Sequence, residues 1–249
     1  MKMRVIDSHA HYGEWFFPIA MSKEEHINRL MDRYGMERAV FSSSLAIVYN
    51  MAEGNAELNE LVSRSKRFYG YVVLNPNYPE LSAQQIERYL GSPKFLGVKV
   101  HPDYSRRAVS CRENIELLEL ARKLKNVALL HTWGDEQVRA TSTVADTFPD
   151  LTVVMAHMGG DGREGAGWKA GIEAATKRPN VYLEVCGSTL HRDRIREAVE
   201  KVGSERILYG SDMTLINPSI TIGMVEEAAV SQSDRENILY KNARKVFRF

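Results

Sequence analysis

Eight short apolar runs punctuate this chain, at residues 5–7, 38–43, 68–74, 95–100, 127–130, 151–155, 181–185 and 206–209. Each is followed by an interval long enough for a helix, and several intervals carry helix signals of their own. Ser22-Lys23-Glu24-Glu25 is a capping-box pattern, expected to open a helix running to about Tyr34 with Gly35 as its stop. Residues 52–64 and 82–90 read as helices, and 113–124 places apolar residues at 117, 120, 121 and 124, which is helical spacing. A second capping box, Ser233-Asp234-Arg235-Glu236, precedes a final amphipathic helix. Strand and helix alternating end to end favour a parallel sheet wrapped by helices. An open doubly wound sheet is disfavoured, because residues 9–13 stand where its glycine-rich phosphate loop would follow the first strand. The length of 249 residues is close to the roughly 250 of one TIM barrel. The expected architecture is therefore α/β, a (β/α)8 barrel forming a single domain over residues 1–249. No repeat, low-complexity segment or linker interrupts it.

Such barrels build their sites at the C-terminal ends of the strands. The first run ends in Asp7-Ser8-His9-Ala10-His11, the fourth in Lys99-Val100-His101, the fifth in His131, the sixth in His157 and the eighth in Gly210-Ser211-Asp212. Five of the seven histidines fall at these ends; only His26 and His191 fall on helical segments. Polar groups there cost stability unless function compensates. His9 and His11 are two apart and share a face of an extended strand. Two imidazoles aimed at one point suit a transition-metal ion.

The segments Ile6-Asp7-Ser8-His9-Ala10-His11, Gly97-Val98-Lys99-Val100-His101-Pro102, Ala156-His157-Met158-Gly159-Gly160 and Leu208-Tyr209-Gly210-Ser211-Asp212 resemble the amidohydrolase superfamily. The tail Asn237-Ile238-Leu239-Tyr240-Lys241-Asn242-Ala243-Arg244-Lys245-Val246-Phe247 shares that look, so the resemblance spans the chain in order. It is strongest to the branch related to aminocarboxymuconate semialdehyde decarboxylase. The resemblance implies that His9, His11 and Asp212 bind a divalent metal, with His131 completing a single-ion set and His157 orienting the nucleophilic water. In two-ion members a carboxylated lysine at the end of strand four bridges the ions, and the positions of His131 and His157 hold the second. Lys99 stands at that bridging position; its alternative is a cation that holds a substrate carboxylate. The branch resembled favours one ion, expected to be Zn2+, with Mn2+ as the alternative. His101 shares a strand face with Lys99, but Pro102 can turn it aside, leaving metal or substrate contact and loop packing both open.

An ion held by imidazoles and a carboxylate lowers the pKa of bound water to roughly 7. Asp212 would take the water's proton and deliver it to the leaving group. His157 or the metal would stabilise the developing oxyanion. Asp7 reads as a turn anchor or as the hydrogen-bond partner behind a ligand histidine. The expected activity is metal-dependent hydrolysis of an amide, lactone or related carbonyl of a small molecule. The alternative is a metal-dependent decarboxylase of a small carboxylic acid, for which the chain is short. A deoxyribonuclease of the TatD type also opens with His-x-His but carries glutamate where this chain has Lys99. A barrel that only binds is disfavoured by the intact ligand set.

Composition agrees with these readings. Net charge is +1, from 33 basic and 32 acidic residues, so nothing marks a track for nucleic acid or an anionic membrane. Only two cysteines occur, Cys111 and Cys186, in different elements; the count excludes a disulfide framework and the usage fits a reducing compartment. No apolar leader precedes the first run, and no stretch approaches the ~18 apolar residues of a membrane span. The cytoplasm is the expected compartment, and a homo-oligomer remains open. Trp133, Tyr12 and Trp15 follow strand ends and either wall a substrate pocket or pack. Residues 159–165 resemble a phosphate loop in composition but lack its Lys-Ser/Thr, and read as a flexible loop. Arg163, Arg106 and Arg107 read as anion-recognising groups or, more simply, as solvated surface charge.

Overall fold

The computed structural model describes residues 4–19, 23–161, 167–187 and 192–249. Its strands are β1 (Val5–Tyr12), β2 (Met36–Ser43), β3 (Phe68–Leu74), β4 (Phe95–Val100), β5 (Val127–Leu130), β6 (Thr152–Met155), β7 (Val181–Val185) and β8 (Ile207–Tyr209). They pair in chain order and in parallel. The residues just beyond β8 bring the ring round to β1. Ala10 and Met213 form a parallel bridge, and the Asp212 N–H donates to the His9 carbonyl at 2.9 Å. The chain is thus a (β/α)8 barrel.

β1 is longer than its apolar residues announce, so His9 and His11 lie inside the strand rather than past its end. A register shift between Asp7 and Ala10 marks a bulge beside His9. Inside the barrel, apolar side chains make the floor: Ile6, Val40, Tyr71, Leu96, Leu129, Val154 and Leu208 cluster with Tyr240, Ala243 and Phe247 of the C-terminal segment. Two residues further along several strands the inward positions turn polar. Leu129 is followed by His131 and Tyr182 by Glu184, as the period of two requires. The opposite strand faces pack on the helices and form the larger core.

The helix Glu24–Arg33 ends at Tyr34, and Gly35 takes φ +65°, the left-handed stop expected of it. Ser22, the first residue of the expected capping box, lies outside the described residues. Near the C-terminus the capping box is real but begins two residues earlier than the sequence suggests. Ser231 Oγ accepts from the Asp234 N–H at 3.1 Å, and Asp234 Oδ2 accepts from the Ser231 N–H at 3.0 Å. The helix starts at Gln232, so Ser233 sits within the first turn, where its hydroxyl cannot cap. No helix among the described residues is long and apolar enough to cross a membrane.

Gly54 shows how tightly the outer layer packs. It lies within the helix Met51–Arg64, where alanine would ordinarily gain about 1 kcal/mol. A Cβ there would stand 2.1 Å from the Ala46 amide nitrogen and 2.6 Å from its Cα. Because backbone must move, Gly54→Ala is expected to destabilise by about 1–3 kcal/mol, read as a lowered denaturation midpoint.

Candidate active site

His9 and His11 from β1 meet Asp212 from the loop after β8. Asp212 Oδ1 lies 3.1 Å from His11 Nε2 and 3.7 Å from His9 Nε2. Asp212 holds φ +58°, a left-handed conformation that aspartate tolerates better than most residues. Burial lowers the pKa of His9 and His11, so both rings stay neutral with lone pairs available. Burial alone would raise Asp212. Its hydrogen bond to His11 and the nearby His157 and Lys99 outweigh that and hold it below the usual carboxylate range. Two neutral imidazoles and an ionised carboxylate within 4.8 Å are the donor chemistry of a divalent ion, so the residues fit one.

Lys99, fully buried on β4, brings Nζ to 3.1 Å from His9 Nε2. Burial lowers it to about 8, against the pull of Asp212. Asp7 buckles β1 to the end of β8. It accepts from the Ser211 hydroxyl at 2.5 Å and from the Ser211 and His9 amides, each at 3.1 Å. It therefore anchors the turn and meets His9 only through the backbone.

Glu184 on β7 escaped the sequence reading. Its Oε2 lies 2.9 Å from His9 Nδ1, which fixes that ring with Nε2 toward Asp212. Burial raises it to about 8. Gly210 leaves the space it needs: a Cβ there would stand 2.0 Å from Glu184 Oε1 and 2.8 Å from His9 Cβ. Groups that orient a ligand histidine typically govern affinity 10–100-fold. Glu184→Gln is expected to weaken divalent-ion binding by about that factor, measured by equilibrium titration of ion-free protein.

The remaining histidines gather one step away. His157 follows β6 with φ +59°, and its Nε2 lies 3.1 Å from His131 Nδ1. Burial lowers it to about 3, so it is neutral. His131 turns its other nitrogen to Asp103 Oδ2 at 3.0 Å, and its ring stacks on His101 at 3.8 Å. His131 thus groups with His101 and Asp103 rather than with His9, His11 and Asp212. His157 lies between the groups, its ring 5.2 Å from that of His9 and 4.7 Å from that of His131. Pro102 does turn the chain, into the short helix Pro102–Ser105, but His101 still packs against the site. That helix also supplies Asp103, which the sequence reading missed.

These groups open into a cavity of about 290 Å³ whose walls include Trp15, Phe17, Tyr104 and Trp133. Two of the three expected wall residues are there; Tyr12 packs against the outer core instead. Arg106 and Arg107 line a neighbouring surface groove, and Arg107 is paired with Glu113. Arg163 and residues 162–165 of the expected loop lie outside the described residues.

The amidohydrolase family profile matches residues 6–249. The chain belongs to the amidohydrolase family. Among curated proteins, this amidohydrolase is 24% identical to the gamma-resorcylate decarboxylase of Polaromonas sp. (strain JS666 / ATCC BAA-500), covering 88% of this chain and 86% of the relative. Among solved structures it resembles the dihydroxybenzoic acid decarboxylase of Polaromonas sp. JS666, bound to manganese and 2-nitroresorcinol. There the TM-score is 0.76 at 18% identity, covering 98% of this chain and 96% of that one. It also resembles the 5-carboxyvanillate decarboxylase of Novosphingobium aromaticivorans DSM 12444, complexed with manganese and a nitrobenzoic acid. That match has a TM-score of 0.74 at 12% identity, covering 98% and 96%.

Proposed function

We propose that this amidohydrolase is a metal-dependent decarboxylase of a small hydroxylated aromatic acid. The observation that carries the reading is the junction of the His9, His11 and Asp212 donors with a narrow cavity walled by aromatic rings. Hydrolysis, the first expectation, rested on the short chain. The match to a decarboxylase over 86% of its length removes most of that argument, and the relatives named above favour the lyase.

His9, His11 and Asp212 would hold the ion, which supplies positive charge that binds an anionic substrate and offsets charge developing on its ring. Mn2+ is favoured over the expected Zn2+, because structures of relatives contain manganese and this donor set accepts it. Lys99 adds positive charge beside His9 and need not be a bridge between ions. Protodecarboxylation breaks the ring–carboxylate bond, gives a proton to the ring carbon and releases CO2. Asp212, ionised at rest, must take a proton before it can give one. It accepts one from the substrate's ortho hydroxyl and passes it to the ring carbon bearing the carboxylate. The C–C electron pair then restores the aromatic ring as CO2 leaves, and solvent returns the hydroxyl proton. His157, held neutral, orients the substrate by hydrogen bonding. The aromatic walls thin the water around the carboxylate, which favours its conversion to neutral CO2.

The test incubates Mn2+-loaded protein with 2,6-dihydroxybenzoate, 5-carboxyvanillate and a panel of lactones, esters and amides. Release of CO2 with the matching phenol is expected. A new carboxylate from a lactone or amide, with no CO2 from any aromatic acid, would overturn the proposal.

A further inference from the structure

The far edge of the His9 ring faces a second set of metal-competent atoms. Cys186 Sγ lies 3.3 Å from His9 Nδ1, 3.1 Å from His157 Nδ1 and 3.0 Å from Glu184 Oε2. Glu184 Oε2 is in turn 2.9 Å from His9 Nδ1. All four side chains are buried, and the four donor atoms lie within 4.8 Å of one another. Tetrahedral zinc, with Zn–S about 2.3 Å and Zn–N about 2.0–2.1 Å, spaces neighbouring donors roughly 3.3–3.6 Å apart. The four separations just given would widen by only a fraction of an ångström around such an ion, and the other two donor pairs lie within 4.8 Å.

The fold builds this cluster from separate elements. Glu184 and Cys186, two apart along the direction of β7, share a face. The positive φ of His157 turns its ring toward them. Gly187, at φ +113°, lines the cavity, and a Cβ there would stand 3.4 Å from His157 Nδ1. This glycine leaves a way in from the cavity along the His157 ring. The donor set differs in kind from that of His9, His11 and Asp212, because it contains sulfur. Thiolate selects soft ions, and affinity at a mixed N/S site rises strongly from Mn2+ to Zn2+.

We propose that Cys186, His157, Glu184 and His9 form a second site, for a thiophilic divalent ion such as Zn2+, whose occupation inhibits the enzyme. Cys186 binds as thiolate and Glu184 as carboxylate, and the protons of the Cys186 thiol, the Glu184 carboxyl and His9 Nδ1–H pass to solvent. Occupation replaces the Glu184 hydrogen bond that orients His9 and ties the His157 ring to the ion through Nδ1. Mn2+, a poor partner for thiolate, does not occupy the site. Zinc therefore inhibits where manganese activates.

Cobalt(II) added to ion-free protein tests the site without reference to any substrate. Thiolate ligation gives an intense near-ultraviolet charge-transfer band, which imidazole and carboxylate ligands do not. The band is expected in the wild type and in His11→Ala, and is lost in Cys186→Ser. It persists in Cys111→Ser, which removes the chain's other thiol. Circular dichroism establishes that each variant is folded, and Asp212→Asn replaces His11→Ala if the latter is not. Cobalt bound to the wild type without the band, or a band surviving in Cys186→Ser, overturns the proposal. So does loss of the band in a folded His11→Ala or Asp212→Asn, because the two sites would then not be separate. As a second readout, Zn2+ should bleach the cobalt band and bring the Mn2+-loaded wild type to near background rate, while Cys186→Ser keeps its own zinc-free rate. Equal inhibition of Cys186→Ser overturns the inhibitory role. The cobalt readout stands even if no aromatic acid is decarboxylated.

Discussion

Asp212→Asn is expected to lower kcat for CO2 release by about 10²–10⁴-fold, the usual contribution of a positioned acid–base group. The substitution preserves size and leaves an oxygen near His11, so the architecture around the 3.1 Å contact survives. What it removes is the site that accepts the hydroxyl proton and returns it to carbon. Loss of the negative charge also weakens the hold on the ion, so the assay must run at saturating Mn2+ with bound metal counted in the same sample. Under those conditions kcat falls while KM changes little. A variant that binds metal and substrate normally and keeps more than a tenth of kcat would contradict a proton-carrying role for Asp212.

His11→Ala is expected to abolish both metal retention and activity. His11 contributes one of the two imidazoles grouped with Asp212 among the described residues, and removing it leaves His9 and one carboxylate. Loss of a ligand costs more than the 10–100-fold attached to the groups behind one. The effect also appears in stability. Ion at a hundred times its Kd stabilises a folded protein by about 2.7 kcal/mol. Wild-type protein should therefore show a clear rise in Tm on adding Mn2+. His11→Ala should show none, although its Tm without ion stays close to that of the ion-free wild type.

The barrel was legible because its signals are local and repeated: each apolar run is short, and each interval suits a helix. The grouping of the candidate site was legible where metal-competent residues follow the apolar runs, as at His9, His11, His157 and Asp212. Glu184 was not, since one acid within Val181-Tyr182-Leu183-Glu184-Val185 resembles a residue facing solvent until the barrel interior is known. Its marker is the inward parity that it shares with Cys186. Asp103 depends on how Pro102 turns the chain after β4, which no spacing rule states. The place of His131 depends on the direction of a ring, drawn toward Asp103 and His101 rather than toward His9. β1 ran longer than expected because polar residues inside a strand look like its end. The capping box moved because Ser231 and Ser233 both lie near an acid, and only the true helix start chooses between them.

In the proposed reaction one ion in one place drives loss of CO2. The direct measurement titrates Mn2+ into ion-free protein while recording CO2 release from 2,6-dihydroxybenzoate. No release is expected without the ion, then a linear rise, and a plateau at one ion per chain that His9→Ala never reaches. Release from ion-free protein, a plateau at two ions, or saturating metal without CO2 from any hydroxylated aromatic acid would contradict it.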